Sequence, residues 1–258
     1  METPSSNPIY RLLRHILSRG CRRAECWVEY SVGEAAEELS GQRQPPGPPR
    51  GSRQFYDGQK SEFSDGRKRR CINACCVQDS KWRGSNSKNI SNGYKLIDYG
   101  ETNNRNGVGV ILSEDLSRRL VSVVRVGDRI ILKITLDNQP SLNIISIYAP
   151  QSGSEEFNKD IFWDVLYKLL LEIPTEETVH LAGDLTGHVG DYGGCQGSFS
   201  YGTRNPDGNR ILQFASTLGL AIINTYYKKN NNHFVTYSSG ESSTQIDSIL
   251  ARKNHLGR

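Results

Sequence analysis

Three acidic residues of this chain stand where hydrolytic chemistry is often done. In Thr178-Val-His-Leu-Ala-Gly-Asp184-Leu-Thr-Gly-His188 a short apolar run reads as a buried strand that delivers Asp184 onto a glycine-punctuated turn. A carboxylate at the mouth of a sheet, beside glycines that let another backbone approach, suits phosphate-ester chemistry with a metal ion or a water. Asp79 follows Cys75-Cys-Val-Gln78 in the same manner, and Asp247 lies within Thr244-Gln-Ile-Asp-Ser-Ile-Leu250. Taken singly, each reads more readily as a turn-capping or solvated aspartate. Together, from three distant strand ends, they favour a hydrolytic metal site. His188 follows the strand-end turn and either approaches a phosphate or belongs to the turn. His180, inside the strand, reads as a packed, hydrogen-bonded core histidine.

Positioning such groups takes a sheet-rich scaffold. Strand signals run through 72–77, 94–99, 107–112, 120–126, 129–136 and 143–148, with Asp137-Asn-Gln-Pro140 as a hairpin turn between the last two. A helix is expected from about 154 to 172, with Ser154 as N-cap and Phe157, Ile161, Val165, Leu169 and Ile173 as its inward stripe. A strand at 178–183 and a glycine-rich loop through 203 come next. A second helix, opened by Asn205 to Gly208, covers 210–218. Strands at 220–226, 234–238 and 244–250 close the pattern. Strands outnumber helices, so a layered α/β sandwich of two sheets with outer helices fits better than a doubly wound sheet. No Gly-x-Gly-x-x-Gly or phosphate-loop motif is present, which argues against a nucleotide cofactor.

At 258 residues the chain can bury a full core. A mean hydropathy of −0.57 is low for a fully compact chain, and the excess polarity lies at the start. Residues 1–70 include Gln44-Pro-Pro-Gly-Pro-Pro49 and the basic run Arg67-Lys-Arg-Arg70, and read as a low-complexity, disordered basic extension; residues 71–258 read as the folded domain. The whole net charge of +4 belongs to those first 70 residues, which hold 13 basic and 9 acidic side chains. The neutral remainder gives no electrostatic case for nucleic acid. Six cysteines without a Cys-x-x-Cys pair argue against a zinc ribbon, and no apolar run approaches the ~20 residues of a membrane span. An intracellular location, nuclear or cytoplasmic and not secreted, with free thiols and no membrane contact, is expected.

Six motifs occur in one order: Cys76-Val-Gln-Asp-Ser-Lys-Trp82, Arg105-Asn-Gly-Val-Gly-Val110, Ile147-Tyr-Ala-Pro150, Gly183-Asp-Leu-Thr-Gly-His-Val-Gly190, Asn224-Thr-Tyr226 and Thr244 to Leu250. In that order, over roughly residues 70–252, the chain resembles the endonuclease/exonuclease/phosphatase superfamily, and within it the apurinic-endonuclease-like domain of non-LTR (BovB-type) retrotransposons. The resemblance implies a four-layer α/β/β/α, DNase I-like fold, incomplete here at both ends, and a hydrolase that nicks DNA with Mg²⁺ or Mn²⁺. It assigns the metal to Asp79, a basic substrate contact to Lys81 and a phosphate contact to Tyr148. Asp184 becomes the acid that orients or deprotonates the attacking water. Asp247 becomes the acid that orients a catalytic histidine.

The same resemblance points to defects. The family's first strand with its metal-placing Asn, and its closing Ser-Asp-His strand, have no evident match. Its Asp-x-Asn is Asp184-Leu-Thr186 here, and its metal-binding Glu is Asp79, one methylene shorter. A positioned acid or base is worth roughly 10²–10⁴-fold and a ~1 Å misplacement about 10²-fold, so an impaired nuclease with weak metal binding, a pseudoenzyme, is expected. The competing readings are a non-catalytic remnant or binding protein, and a phosphatase-type member of the same superfamily.

Overall fold

The computed structural model describes residues 28–31, 73–80, 83–90, 93–101, 106–127, 129–135, 140–190, 194–228, 234–239 and 242–255. In chain order the strands and helices are β1 (Val28–Ser31), β2 (Ala74–Gln78), β3 (Gly84–Asn89), β4 (Lys95–Gly100), β5 (Val108–Leu112), α1 (Glu114–Arg118), β6 (Leu120–Val126), β7 (Arg129–Ile134), β8 (Leu142–Tyr148), α2 (Glu156–Leu171), β9 (Thr178–Asp184), α3 (Pro206–Thr217), β10 (Leu220–Ile222), β11 (Tyr237–Ser239), β12 (Ser242–Thr244) and β13 (Asp247–Arg252). Two sheets form, in the orders β1-β2-β5-β4-β3 and β10-β13-β9-β8-β7-β6, beside a small β11–β12 hairpin.

The alternation of each strand decides which layer it serves. Ala74, Cys76, Ile97, Val110 and Leu112 of the first sheet meet Leu132, Ile134, Ile144 and Ala182 of the second, which makes the core between the sheets. The opposite face of the second sheet, with Ile145, Ile147, Leu181 and Leu250, carries α2 and α3 through Phe162, Leu166, Ile211 and Phe214. This is the expected two-sheet sandwich flanked by helices. β8 and β9 run parallel, joined across their helix side by α2, whereas β9 and β13 are antiparallel. No helix of the described residues is long and apolar enough to cross a membrane.

Several local expectations change. Residues 28–31, inside the stretch expected to be disordered, form β1 and pair parallel with β2, so a strand does stand beside β2 where none was expected. A strand with Cys75 and Cys76 fully buried needs its backbone paired on both edges, and Val28-Glu-Tyr-Ser31 supplies the second. The rest of 1–70, with its basic run, and Cys71 lie outside the described residues. The inward stripe of α2 is borne out only at its end: Ile173 is buried and Leu169 packs against the core, but Lys159, Phe162, Leu166 and Leu170 form the buried face, while Phe157 is 70% and Ile161 46% exposed. The N-cap is Glu155, without a side-chain cap bond, and not Ser154. The strand expected over 220–226 stops at Ile222 and becomes a 3₁₀ turn, Ile223–Thr225. β3 and α1 carried no periodic signal. β3 is the polar edge strand Gly-Ser-Asn-Ser-Lys-Asn, and α1 is five residues capped by Ser113 Oγ.

Candidate active site

Register brings three of the candidate residues into one row. On β8 and β9 the Cα partner of Tyr148 is Asp184, and on β9 and β13 the partner of Asp184 is Asp247. Three adjacent strands therefore carry Tyr148, Asp184 and Asp247 at the same end of the sheet, with neighbouring strands about 4.8 Å apart. They also share a face. Ile144 and Ser146 alternate with Tyr148, Ala182 with Asp184, and Ile249 with Asp247; Ile144, Ala182 and Ile249 all pack into the core between the sheets. The row thus opens at the mouth of the sandwich. The ladder continues past it, with the Ala149 N–H donating to Asp184 O (2.9 Å) and the Leu185 N–H to Ile246 O (3.0 Å).

The first sheet brings Asp79 to the same mouth. Gln78, the last residue of β2, is 1% exposed, and its Nε2 donates across the sandwich to Ser146 Oγ (3.1 Å), two residues before Tyr148. Ser146 Oγ in turn donates to Val77 O (3.4 Å). This strut joins the strand that ends in Asp79 to the strand that ends in Tyr148. Sequence reasoning gave Gln78 and Ser146 no role, although Gln78 stood beside Asp79 in a quoted motif. Burial pushes the thiol of the neighbouring Cys76 well above its ordinary range, Cys75 adds to this and Ser146 opposes it. That thiol is packing, not a nucleophile. Lys81 lies outside the described residues.

The backbone leaving Asp184 is tightly bent. The Thr186 N–H donates to Asp184 Oδ1 (2.8 Å), which fixes the carboxylate rotamer. Thr186 has φ +53° and Asp79 φ +49°, an uncommon conformation for residues other than glycine and most unusual for a β-branched one. Thr186 Oγ1 donates to Pro150 O (2.9 Å), so the hydroxyl ties this turn to the loop after β8. His188 is half-buried on the same turn. Its N–H donates to Asn205 Oδ1 (2.9 Å), the atom that also caps α3 through the Gly208 N–H (2.8 Å). Lys159 stands behind this turn, buried, with Nζ 3.0 Å from Asp207 Oδ1 and donating to Ser152 O (2.8 Å). Burial alone would lower its pKa, but the bonds from Asp207 and Glu156 outweigh burial and hold it above the ordinary value. This ion pair satisfies the lysine that lies on the inward face of α2 with Phe162, Leu166 and Leu170.

Asp247 is held by two further side chains. Asn224 Nδ2 donates to Asp247 O (3.1 Å) and its Oδ1 accepts from the Ile249 N–H (3.1 Å), so one amide acts as a short strand along β13. Thr236 Oγ1 accepts from the N–H groups of Ile246 (3.0 Å) and Asp247 (3.2 Å). Asn224 was visible only as part of a motif without an assigned task; Thr236 carried no signal.

The donors at this mouth are all oxygens. Among the described residues no three His, Cys, Asp or Glu groups are disposed as a metal cage. Beside Asp79, however, Gln78 Oε1 and Ser80 Oγ are buried without a hydrogen-bond partner. Buried acceptors left over on either side of Asp79 in sequence suit the oxygen-ligand chemistry of a hard cation held by one or two carboxylates, which is how Mg²⁺ is usually bound.

No family model matches the chain. It is similar to craniofacial development protein 2 of Bos taurus, 28% identical over 182 residues, which cover 69% of this chain and 31% of the bovine protein. The chain therefore spans about a third of that relative's length. Its fold is similar to the AP endonuclease LMAP from Leishmania major, with a TM-score of 0.59 and 9% identity over 98% of this chain and 91% of that one. Humanized TDP2 of D. rerio has the same architecture, with a TM-score of 0.51 and 11% identity over 80% of each chain. That relative, the order of the motifs and the sandwich that carries them support placing the chain in the endonuclease/exonuclease/phosphatase superfamily.

Proposed function

We propose that this chain is a retrotransposon-type DNA endonuclease domain, metal-dependent, whose catalysis is impaired at Asp79 and Thr186. The observation that supports it is the single row of Tyr148, Asp184 and Asp247, in register and on one face, with Asp79 brought to the same mouth through Gln78. A divalent cation such as Mg²⁺ or Mn²⁺, held by Asp79 with the Gln78 amide oxygen beside it, would neutralise charge on the phosphate and the leaving oxygen. Asp184, its rotamer set by the Thr186 N–H, takes the proton of the attacking water. The Tyr148 hydroxyl donates to a phosphate oxygen, and Lys81 and His188 flank the substrate. Asp247 stands where the family has the carboxylate that orients a catalytic imidazole, a group with no evident match in this chain.

Besides the unmatched imidazole and first-strand Asn, two residues limit the rate. A threonine has one O–H to donate, and here Pro150 O accepts it, so Thr186 offers a phosphate no donor where the family has an amide. The carboxylate of Asp79 is one methylene shorter than the family's Glu, which withdraws a ligand by about 1 Å.

Nicking of supercoiled plasmid tests the reading. Wild type nicks slowly with Mg²⁺ or Mn²⁺, and the Asp79→Glu/Thr186→Asn double variant nicks at least about tenfold faster. Stability should change little. Asn tolerates φ +53°, relieving about 1 kcal/mol of strain, while the lost hydroxyl bond costs about as much. No metal-dependent nicking by either protein would leave a non-catalytic remnant as the correct reading.

A further inference from the structure

Beyond the row of acids, one surface feature lies within reach of it and is used by nothing described so far. Tyr226 and Tyr227 follow the 3₁₀ turn Ile223–Thr225 and are 41% and 54% exposed, with the exposed Lys228 next in sequence. Isolated exposed aromatics are ordinary; two consecutive rings with a cation, on a pinned backbone beside a candidate phosphodiester site, are not. The pinning is explicit. The Tyr226 N–H donates to Ile223 O (3.0 Å), the Phe199 N–H to Thr225 O (3.0 Å) and the Gly197 N–H to Thr225 Oγ1 (2.7 Å). Gly197 packs so closely here that a Cβ would lie 2.7 Å from Tyr226 Cα. Two residues upstream, Asn224 holds Asp247 O, and two residues of chain span at most about 7 Å. The backbone of Tyr226 and Tyr227 is therefore held at the end of the sheet that carries the row.

We propose that Tyr226 and Tyr227 form a stacking platform for unpaired nucleobases beside the scissile phosphate, with Lys228 against the adjoining backbone. This rests on the reading of the site as a DNA endonuclease and adds that the DNA is engaged with bases out of the duplex stack. Rings with exposed π-faces suit any base, whereas the carboxylate row reads only phosphate. A rigid backbone keeps the ordering cost of binding low.

The probes are fluorescein-labelled (dT)15 and an abasic oligomer of equal length, titrated with the full chain in EDTA and read by anisotropy. The Tyr226→Ala/Tyr227→Ala variant should lose about tenfold or more in affinity for (dT)15 and change less than about twofold on the abasic backbone. Tyr226→Phe/Tyr227→Phe should bind as wild type, since it keeps both rings. Should the double alanine variant not melt cooperatively, Tyr227→Ala alone carries the comparison. Equal losses on both probes, no loss on (dT)15, or no binding by wild type overturns the platform. The two readings fail separately. Nicking that ignores Asp184 with ring-dependent binding removes the endonuclease and keeps the platform. Asp184-dependent nicking with ring-independent binding removes only the platform.

Discussion

Gly183→Ala is expected to cost at least about 3 kcal/mol, or roughly 6–12 °C in Tm for a domain of this size. A Cβ at 183 would lie 1.9 Å from the backbone oxygen of Ile147 and 3.1 Å from Gln78 Nε2. The first contact is with the neighbouring parallel strand's backbone, which cannot swing aside as a side chain would. Relief requires β8 and β9 to part, and they are the strands that set Tyr148 beside Asp184. The same substitution should therefore weaken metal binding as well as folding. Gly153→Ala is the control, because a Cβ there meets nothing within 4 Å, and its melt should match wild type. Thermal unfolding followed by circular dichroism decides it: equal melting of the two alanine variants would mean that β8 and β9 do not approach as described.

The second large effect is at Asp184. In the Asp79→Glu/Thr186→Asn background, where nicking is fastest, Asp184→Ala should reduce the rate by about 10²–10⁴-fold, the range for removing a positioned base. Removing the carboxylate also frees the N–H of residue 186, which donates to Asp184 Oδ1 in a part-buried bond. A part-buried donor left without its partner costs about 1–3 kcal/mol, so the melt should fall by roughly 2–12 °C. A rate that survives in Asp184→Ala assigns the base elsewhere and dissolves the row as a catalytic unit. Because residues acting as a unit are non-additive, adding Asp247→Ala should change little further.

Much of the site was legible because its carriers are buried strands. Ile-Ile-Ser-Ile before Tyr148 and Val-His-Leu-Ala-Gly before Asp184 are apolar runs whose ends are fixed by the loss of hydrophobicity. Once they pair, register does the rest. The face of α2 was not legible. The expected stripe was Phe157-Ile161-Val165-Leu169-Ile173, but Phe162, Leu166 and Leu170 face the core, with Lys159 on the same side bound to Asp207 and Ser152 O. A long-range ion pair leaves no mark in periodicity. Gln78, Ser146, Asn224 and Thr236 were unreadable as positioning groups for a similar reason. Each is a polar residue, buried except for the half-buried Thr236, whose partner lies on another segment, and polarity between apolar runs reads locally as weakness. β1 was hidden by composition, since Val28-Glu-Tyr-Ser31 sits in a stretch dominated by charge and proline.

Four strand ends share one mouth, and a single proposed cation sits there, on Asp79. Paramagnetic broadening by substoichiometric Mn²⁺ in an amide NMR spectrum reads this without relying on catalysis. The expected result is simultaneous loss of signals from residues 78–80, 148–149, 184–186 and 246–248, abolished by Asp79→Asn. Broadening confined to one of these segments, or spread over residues remote from all four, would contradict it.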